Sequence, residues 1–582
     1  MDNGRHRYEE IETGVLIVGA GAGGLRVAIE LAENGVPCLV LGKRRHGDAH
    51  TIWAAGGINA SLGTLDPEDR WEIHAADTIR EGHFVCDPRA VELLTKHAPD
   101  RVLELAQWGC GFNRTGDGEI DQRFFGAQAY RRACFAGDRT GEEILDTLVE
   151  KARSLDVPYR DNFFVTRILT QDGRAVGAAG YDLETGGYAV FGAQAVVLAA
   201  GGLTALYHRS SSRKEENTGD AAALAYEAGA SLRDMEFVQF HPTGMVKPEE
   251  MSGMLVTEAV RGEGGRLLNA GGERFMQRYS PEHLELDARD VVARANYAEI
   301  QAGRGTENDA VLLDISHREA DHVRERLPKM YAQFEEQGVD ITREPMEVAP
   351  TAHYAMGGVE VNFDTGATAV EGLFAVGEGT AGTHGANRLG GNSLAETLVF
   401  GKITGEHLTK HLAEVSSRPV DRRRVEEHLD ELEHLSGASG AHDPEELADE
   451  LRTLLWDHAG IVRTRDKLQR GLEKLEDLRR RAQSLTVEGG TTGRKFEFAL
   501  NLRFMVLAAE AILRGALMRE ESRGAHHRED APETRAGWQK NILCAKGEDG
   551  AMRLWTAPAG EVSEEIRAAL EEEHAPNYHH LE

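Results

Sequence analysis

A glycine-rich turn near the N-terminus constrains the fold of this 582-residue chain more than any other feature. The apolar run Val15 to Val18 precedes the turn, and an amphipathic segment from Leu25 to about Glu33 follows it. The turn has the pattern Gly-x-Gly-x-x-Gly and consists of Gly19, Ala20, Gly21, Ala22, Gly23 and Gly24. Glycine here permits a tight turn and lets backbone N–H groups approach a pyrophosphate at the start of the following helix. The segment therefore predicts a βαβ unit that binds a dinucleotide.

The end of the second strand of this unit narrows the choice of dinucleotide. Taken alone, the glycine pattern leaves NAD, FAD and a simple tight turn open. The apolar segment Pro37 to Leu41 is followed by Gly42 and Lys43, where an NAD enzyme usually carries an acidic residue for the ribose. A plain NAD enzyme is therefore disfavoured.

Two later apolar runs also end in glycine and extend the predicted sheet. Residues 195–202 read AVVLAAGG, and residues 373–377 read LFAVG. Polar-alternating strands with turns at residues 172–173 and 185–187 precede the first run. Strands of a buried parallel sheet are apolar along their length. The three runs therefore predict an α/β fold in which insertions interrupt one parallel sheet, the largest insertion being about residues 231–349.

The last part of the chain differs from the rest in composition and periodicity. From about residue 420 it contains long charged segments whose leucines repeat at helical spacing. Two sets of leucines each share one helix face: Leu447, Leu451, Leu454 and Leu455, and Leu468, Leu472, Leu475 and Leu478. This periodicity predicts a helical bundle with those leucines in its core. The acidic and polar segment beyond residue 541 is expected to be a loosely packed extension.

The charge balance excludes some classes of partner. The chain has 66 Lys and Arg against 97 Asp and Glu, a formal net charge of −31. Such an acidic chain is not expected to bind nucleic acid directly. No window approaches the roughly 18 apolar residues of a membrane span, and the charged N-terminus does not resemble a secretory signal. By itself the chain is expected to be soluble and cytosolic.

The cysteines carry information about electron transfer. The chain has five, and none forms a CxxC pair with another. A disulfide framework, a structural zinc site and an intrinsic iron–sulfur cluster are therefore not predicted, and no metal site is assigned. If the protein passes single electrons onward, the carrier belongs to another chain.

A histidine precedes a second glycine-rich turn. His50 and Thr51 stand a few residues before Gly56 and Gly57. Here the sequence resembles the flavoprotein subunit of succinate dehydrogenase and fumarate reductase. The resemblance implies FAD as cofactor, bound covalently to His50 through the 8α-methyl group of the flavin. Such a link raises the flavin potential, which favours oxidation of a poor hydride donor such as succinate.

The resemblance extends over nearly the whole chain. Its motifs, in the family order, are residues 123–126, 138–141, 217–220, 236–244, 257–265, 288–294, 350–358, 384–394 and 521–526. It implies a Rossmann-type FAD-binding domain, an inserted α+β capping domain and a C-terminal helical domain. The corresponding bounds are 1–230 and 350–415 for the FAD-binding domain, 231–349 for the capping domain, 416–540 for the helical domain and 541–582 for the extension.

The resemblance also implies a dicarboxylate site. Oxidation of succinate needs two anchored carboxylates, a hydride acceptor and a proton acceptor. Four residues match the family's substrate-binding positions and supply hydrogen-bond donors: His241, Thr257, His353 and Arg388. Arg289 matches the proton shuttle, and Glu258 and Arg261 match its relay. A structural ion pair is the alternative interpretation of Glu258.

The residues expected to contact FAD include those of both glycine-rich turns. The full set carried over from the family is Gly19, Ala20, Gly21, Ala22, Gly23, Gly24, Gly42, Lys43, His50, Thr51, Gly56, Gly57, Asp220, Glu378, Ser393 and Leu394. Glu378 directly follows the third glycine-ended strand, where a carboxylate can meet a ribose or ribityl hydroxyl.

The leading hypothesis places the chain in a respiratory complex. The flavoprotein subunit would interconvert succinate and fumarate and pass electrons to an iron–sulfur subunit, then to quinone through membrane anchor subunits. The chain would then lie at the cytoplasmic face of the cell membrane, held there by its partners. L-Aspartate oxidase is the alternative, since it shares several of these motifs. A non-catalytic flavin scaffold is disfavoured by retention of the five site residues, and a tRNA-modifying flavoprotein by the acidic charge.

Overall fold

The computed structural model describes residues 6–247, 249–415, 418–437, 440, 442–487 and 491–572. Twenty strands run in chain order: β1 Tyr8–Val18, β2 Cys38–Leu41, β3 Ile58–Asn59, β4 Gln122–Arg123, β5 Ala133–Cys134, β6 Tyr159–Arg160, β7 Phe163–Gln171, β8 Arg174–Asp182, β9 Tyr188–Leu198, β10 Leu232–Arg233, β11 Val238–Met245, β12 Arg266–Leu268, β13 Val311–Asp314, β14 Met346–Ala355, β15 Gly358–Val359, β16 Leu373–Ala375, β17 Val462–Arg463, β18 His527–Arg528, β19 Lys540–Lys546 and β20 Met552–Pro558.

Helices account for most of the remaining regular structure. They are α1 Ala22–Glu33, α2 Trp71–Glu81, α3 Pro88–Gln107, α4 Thr140–Ser154, α5 Asp220–Ala228, α6 Ala259–Gly262, α7 Met276–Tyr279, α8 Arg289–Gln301, α9 Ala320–Arg326, α10 Pro328–Glu335, α11 Asn392–His411, α12 Arg422–Leu435, α13 Pro444–Ala459, α14 Arg465–Gln483, α15 Arg494–Met518 and α16 Glu564–Glu571.

The main sheet joins the three glycine-ended strands. β1 lies between β2 and β9 and is parallel to both, and β16 pairs in parallel with the end of β9. In this register Val18 and Ala375 both lie opposite Leu198, so the glycines after these strands meet at one edge of the sheet. The predicted parallel arrangement of these three strands is confirmed. β7 and β8 are antiparallel additions, because their two-residue turn at Asp172 and Gly173 forms a hairpin.

The helix after the glycine-rich turn starts earlier than predicted. α1 begins at Ala22 rather than at Leu25, because Gly21 adopts an extended conformation at the N-cap and the helix turns directly after it. The helix packs against α11. A Cβ at Gly405 of α11 would lie only 2.6 Å from Cβ of Glu30. The close approach of the two helices therefore depends on glycine at that position.

A second antiparallel sheet covers the edge at which the glycine-ended strands finish. Its order is β11-β14-β13-β12, and with α6 to α10 it encloses a separate hydrophobic core that includes Val260, Phe275 and Leu313. This unit corresponds to the predicted capping domain. The expected boundary between residues 349 and 350 falls inside β14, because that strand both completes the capping sheet and leads back to the FAD-binding domain.

The helical region forms a bundle of α13, α14 and α15. Of the eight leucines predicted to form its core, seven are buried and Leu472 is partly buried against them. The same core continues into the main sheet through α15, whose Phe496 packs edge-on against Tyr181 of β8. The bundle is therefore packed directly onto the sheet.

The expectation of a loosely packed C-terminal extension is wrong for residues 541–572. β19 and β20 form a hairpin whose first strand pairs with β10, and Ile542, Leu543 and Cys544 are buried. α16 then packs on α2 and buries Ile566. The consecutive buried apolar residues 542–544 of β19 hold this segment in place, although its composition is acidic. Residues 573–582 lie outside the described part of the chain. Within the described part, no helix is both long and apolar enough to cross a lipid bilayer.

Candidate FAD and dicarboxylate site

A cavity opens where the three glycine-ended strands finish. It has an empty volume of about 1360 Å³, including the space at its mouth. Its lining includes Val18 from β1, residues 199–201 after β9 and residues 376–378 after β16. The ends of parallel strands at a topological switch point are the usual place for a nucleotide ligand. Its volume is large enough for a dinucleotide.

The glycine-rich turn lines one wall of this cavity. Residues 19–23 contact the space, whereas Gly24, although described, does not. Gly19 has φ +122°, and a Cβ on it would lie 2.1 Å from the carbonyl oxygen of Ala199. A Cβ on Gly24 would lie 2.0 Å from the carbonyl oxygen of Gly19. Only glycine can therefore keep this turn close to the neighbouring strand, which leaves the backbone exposed to the cavity.

Lys43 anchors one side of the cavity to the helical bundle. Its Nζ donates hydrogen bonds to Asp220 at 2.9 Å and to Asn501 of α15 at 2.7 Å. It also lies 4.1 Å from the ring centroid of Phe164. Gly42, Lys43 and Asp220, which all belong to the predicted cofactor set, line the cavity.

The last three residues of the predicted cofactor set also lie at the cavity. Glu378, Ser393 and Leu394 line the cavity, and Ser393 and Leu394 belong to the first turn of α11. The Glu378 carboxylate accepts a hydrogen bond from the backbone N–H of Ala355 at 3.1 Å. Burial raises the pKa of Glu378 to about 7. Near neutral pH this carboxyl can therefore either accept a hydrogen bond from a sugar hydroxyl or donate one to it.

His50 lies at the start of a short 3₁₀ turn, His50–Trp53, and lines the same cavity together with Thr51. Its Nδ1 is 3.5 Å from the hydroxyl of Ser212. Burial, with a smaller contribution from Arg213, lowers the pKa of His50 to about 4. The imidazole is therefore neutral at physiological pH and retains a nitrogen lone pair.

The second glycine-rich turn is placed differently from the expectation. Gly56 and Gly57, although described, do not line the cavity. A Cβ at Gly56 would lie 2.6 Å from Cζ of Phe125, and one at Gly57 would lie 2.9 Å from the carbonyl oxygen of Cys134. These glycines let the backbone pass close to Phe125. Because neither of them lines the cavity, their contact with the cofactor stays a prediction.

Two histidines from neighbouring strands meet beside the cavity. The rings of His241 on β11 and His353 on β14 have centroids 5.3 Å apart, and His353 lines the cavity. Burial and the positive charges of Arg289 and Arg388 hold the pKa of both histidines well below the usual value. The backbone N–H of Thr243 donates to Nδ1 of His241. The neutral ring therefore carries its proton on Nε2, which can donate a hydrogen bond.

Arg289 forms a buried ion pair with Glu258. Its Nε and Nη2 donate to the same carboxylate oxygen at 2.8 and 2.6 Å. Arg261 approaches that oxygen at 3.8 Å, and the backbone N–H of Gly126 donates to the other oxygen at 2.8 Å. Burial alone would raise the pKa of Glu258, but the two guanidinium groups outweigh burial and lower it to about 2. This carboxylate is therefore ionised at all physiological pH values.

Arg388 completes the cluster and links it to the cavity. Its guanidinium group lies 4.2 Å from the ring centroid of Tyr354 and donates to the hydroxyl of Ser393 at 3.0 Å. Tyr354 and Ser393 both line the cavity. Burial and the charge of Arg289 lower the pKa of Arg388 to about 9. The group remains cationic at neutral pH.

Gln239 is a central residue of the site that sequence reasoning did not identify. Its Oε1 accepts a hydrogen bond from Arg289 at 3.1 Å, and its Nε2 donates to the backbone carbonyl of Arg388 at 2.9 Å. It stands two residues before His241 on β11, the spacing that places side chains on one face of a strand. That spacing is a signal that could have identified it. Tyr354 and Ser211, which is 2.9 Å from Nδ1 of His353, were also missed.

The cluster presents unused hydrogen-bond donors and excess positive charge. Among the described residues, Nε2 of His241, Nε of Arg388, and Nε and Nη2 of Arg261 are buried without a hydrogen-bond partner. Unpaired buried donors are costly, so an anionic ligand would satisfy them. The three arginines and Glu258 together carry a net charge of +2, which the two negative charges of a dicarboxylate would neutralise.

Thr257 is the one predicted substrate residue with no direct link to the others. Its side chain is buried, and its hydroxyl accepts a hydrogen bond from the backbone N–H of Ala259. Within the described residues no hydrogen bond joins it to His241, His353 or Arg388. Thr257 nevertheless directly precedes Glu258, so it lies beside the cluster formed by the other three predicted carboxylate donors and the three predicted proton-transfer residues. Their roles stay predictions.

Two family descriptions match the chain over most of its length. The family described as "FAD binding domain" matches residues 14–394. The family described as "Fumarate reductase flavoprotein C-term" matches residues 448–567. The first match includes the glycine-rich turn, the cavity and the arginine–histidine cluster. FAD is therefore the dinucleotide that this cavity is built to hold.

Individual relatives cover nearly the whole chain. A subunit of the CoM/CoB fumarate reductase of Methanothermobacter marburgensis is 45% identical over 538 residues, which cover 92% of this chain and 97% of that protein. The succinate dehydrogenase flavoprotein subunit of Rickettsia bellii is 36% identical over 586 residues, covering 95% and 96%. The solved structure of Mycobacterium smegmatis Sdh1 in complex with UQ1 has a TM-score of 0.85 and 42% identity, and covers 95% of each chain.

Proposed function

Because the chain belongs to the succinate dehydrogenase and fumarate reductase flavoprotein family, we propose that it is a flavoprotein subunit that interconverts succinate and fumarate. The observation that carries the proposal is the buried cluster of His241, His353, Arg289 and Arg388 beside the cavity. Its unpartnered donors and net charge suit a dianion. The relatives named above are fumarate and succinate enzymes, which favours this function over L-aspartate oxidase.

The chain's own residues hold the substrate at both ends. Arg388 presents an unpartnered Nε for one carboxylate, and a guanidinium group can grip a carboxylate with two parallel hydrogen bonds. The Nε2 proton of His241, together with His353 and Thr257, serves the other carboxylate. Two anchored ends fix the central carbon–carbon bond, which lowers the entropic part of the barrier. Burial excludes water and strengthens these contacts.

Arg289 moves the proton. In succinate oxidation one of its guanidinium nitrogens accepts a proton from the substrate carbon, and in fumarate reduction it donates one. An arginine has a reference pKa above about 12, so the neutral form needs help from its surroundings. Arg388 and Arg261 supply positive charge close to Arg289, and the proton then leaves through Glu258, which is bonded to it at 2.6 Å.

FAD supplies hydride acceptance and donation when it is bound, and we propose that His50 holds it covalently. The neutral His50 imidazole lines the cavity, and its pKa of about 4 keeps a nitrogen nucleophilic at physiological pH. Residues 19–23 and Lys43 would hold the nucleotide part of the cofactor, and Glu378 and Ser393 line the same cavity.

For electron transfer we propose that the direct partner is an iron–sulfur subunit, with quinone reached through membrane anchor subunits. The chain would then sit peripherally at the cytoplasmic face of the cell membrane. The similarity to the Mycobacterium smegmatis structure in complex with UQ1 favours quinone. The 45% identity to a protein of the CoM/CoB fumarate reductase favours CoM and CoB in place of quinone. Assay of the purified complex with quinone, and separately with CoM and CoB, decides between them.

The proposed reaction is tested by comparing electron donors. We expect the holoenzyme to reduce an artificial acceptor dye with succinate and to show no rate above background with L-aspartate. The reason is that the ammonium group of aspartate would bring a positive charge into a site that already contains positively charged guanidinium groups. A reverse assay should show oxidation of a reduced dye by fumarate. Turnover with aspartate and none with succinate would overturn the proposal.

Covalent attachment of the flavin gives a simple colour test. Acid-precipitated wild-type protein should stay yellow and fluoresce in a denaturing gel, because a covalent bond survives unfolding. His50→Ala should bind FAD in the native state but give a colourless pellet. His46→Ala is the matched control, since His46 is a neighbouring histidine that pairs with Asp161, and it should keep the fluorescence. A colourless wild-type pellet would rule out the bond.

A further inference from the structure

A buried carboxyl next to the site takes no part in the mechanism described above. Glu81 is the last residue of α2 and is only 8% exposed. The side-chain amide of Asn387 donates to Oε1 of Glu81 at 2.7 Å and to Oδ1 of Asp290 at 2.8 Å. One amide nitrogen therefore bridges two carboxyl groups. Asn387 directly precedes Arg388, and Asp290 directly follows Arg289.

Hydrogen bonds continue from this bridge into the dicarboxylate site. The amide oxygen of Asn387 accepts a hydrogen bond from Nε2 of Gln239 at 2.7 Å. The same nitrogen donates to the carbonyl of Arg388, and the other end of Gln239 accepts from Nη1 of Arg289. The residues of this chain of hydrogen bonds are all buried. A change at Glu81 is thus transmitted through two side-chain amides to the guanidinium group of Arg289 and to the backbone carbonyl of Arg388.

We propose that Glu81 is a positioning residue of the dicarboxylate site, acting through Asn387 and Gln239 on Arg289 and Arg388, and that loss of its proton lowers turnover. This inference rests on the proposed function. It assigns a role to a titratable group that lies outside the Arg289–Glu258–Arg261 relay. Glu81, although described, does not line the cavity, so its effect is electrostatic and geometric.

The charged groups around Glu81 and Asp290 decide which of these two carboxyl groups keeps a proton. Glu81 faces Arg289 and Asp290 from α8, Asp287 from the segment before α8, and Glu258 from the N-terminus of α6. Burial and the charge of Asp290 raise the pKa of Glu81 well above its usual value, against a smaller opposing effect of Arg289. The position of Glu81 at the C-terminus of α2 acts in the same direction, because the helix dipole is negative there.

The charged groups around Asp290 lower the pKa of its carboxyl group, in contrast to Glu81. It pairs with Arg294 at 2.6 Å and lies near His83. Burial alone would raise its pKa, but Arg294 and His83 outweigh burial and lower it. At any pH between the two pKa values, the pair therefore holds one proton, on Glu81, and one negative charge, on Asp290.

Ionisation of Glu81 has a defined consequence for Arg289. Loss of the Glu81 proton places a second negative charge beside that of Asp290 and close to Arg289. The charge and the hydrogen-bond geometry around the proposed proton-transfer residue then change together. The added repulsion between Glu81 and Asp290 also pulls on Asn387 and hence on Arg388. Turnover should fall on the alkaline side of the pH profile.

The test compares pH profiles of dye-coupled succinate oxidation between about pH 6 and pH 9. Glu81→Gln keeps an acceptor for the Asn387 amide but cannot ionise, so at the acidic end its kcat should stay within about threefold of wild type. Its alkaline decline should be absent or displaced to higher pH. Glu81→Ala leaves the amide unsatisfied, and its kcat/KM should fall roughly tenfold or more at every pH.

Glu360→Gln is the matched control. Burial also raises the pKa of the Glu360 carboxyl, which faces Arg233 rather than the site. Its pH profile should superimpose on that of wild type. Glu81→Asp, which retains a titrating carboxyl, should keep the alkaline decline and provides the comparison if Glu81→Gln does not fold.

Protonation of Glu81 is also visible without turnover. A carboxyl whose folded pKa is raised destabilises the fold as pH rises from its unfolded value towards its folded value. The melting temperature of Glu81→Gln should therefore increase relative to that of wild type as the pH rises over this range. If wild type oxidises succinate but the Glu81→Gln profile superimposes on it, the inference is overturned. If wild type shows no succinate or fumarate turnover, the proposed function itself fails.

Discussion

Replacing Arg289 with glutamine is expected to lower the rate of succinate oxidation by a factor of roughly 100 to 10,000, the usual contribution of a general acid or base. Arg289 is held by two hydrogen bonds to one oxygen of Glu258 and a third to Gln239. Glutamine can keep a hydrogen bond to this network but cannot exchange a proton. The decrease should appear in kcat, because the group acts in the transition state.

Binding separates a catalytic role of Arg289 from a structural one. The Arg289→Gln holoenzyme should bind a non-reacting dicarboxylate such as malonate within about tenfold of wild type, since Arg388 and the two histidines remain. Flavin absorbance changes report this binding directly. Arg304→Gln is the control, because Arg304 belongs to the same domain but pairs with Glu299 away from the site. An Arg289→Gln enzyme with near wild-type kcat would remove Arg289 from the mechanism.

Replacing Arg388 with alanine is expected to produce the second large effect, and mainly on binding. Hydrogen bonds to a charged group are worth roughly 1.5–3 kcal/mol each, so loss of a two-bond grip should lower kcat/KM by about 100- to 10,000-fold. Malonate affinity should fall by a similar factor, in contrast to Arg289→Gln. Arg388 makes its other contacts with Tyr354 and Ser393. The FAD content should therefore remain measurable.

Two further variants identify which property of Arg388 matters. Arg388→Lys keeps the positive charge but not the planar fork, and it should recover only part of the lost affinity. Ser393→Ala removes the hydroxyl that positions the guanidinium group and should cost much less than loss of the charge itself. Full activity in Arg388→Lys would mean that a point charge suffices and that no bidentate grip exists. Unchanged malonate binding in Arg388→Ala would exclude Arg388 as a carboxylate anchor.

The fold was predictable where local patterns are strong. The glycine-rich turn between an apolar run and an amphipathic helix led to the FAD-binding domain, which the family match confirms. The leucine periodicity led to the bundle of α13 to α15. The C-terminal segment was misjudged because composition does not reveal strand pairing. Only the pairing of β19 with β10 shows that residues 541–546 are part of a sheet.

The site was only partly predictable, for a reason of geometry. Motifs in the family order predict which residue types are present, but the contacts of Gln239, Tyr354 and Glu81 depend on how distant segments pack. Gln239 bonds to residues 50 and 149 positions away, and Asn387 bonds to a residue 306 positions away. No local pattern carries information about such pairings. Gly56 and Gly57 belong to a family motif, but the structure shows them packed on Phe125, and their contact with the cofactor stays a prediction.

The amino-acid sequence by itself determined the kind of domain, the kind of cofactor and the residues available for chemistry. Glycine spacing, apolar runs and helical periodicity express short-range sterics and burial, which hold in any context. The tertiary structure decided which of those residues share one buried space and what their charges do to each other. Proton affinity and ligand charge depend on groups brought together from separate elements in a low-dielectric interior, and such neighbours exist only after the chain has folded.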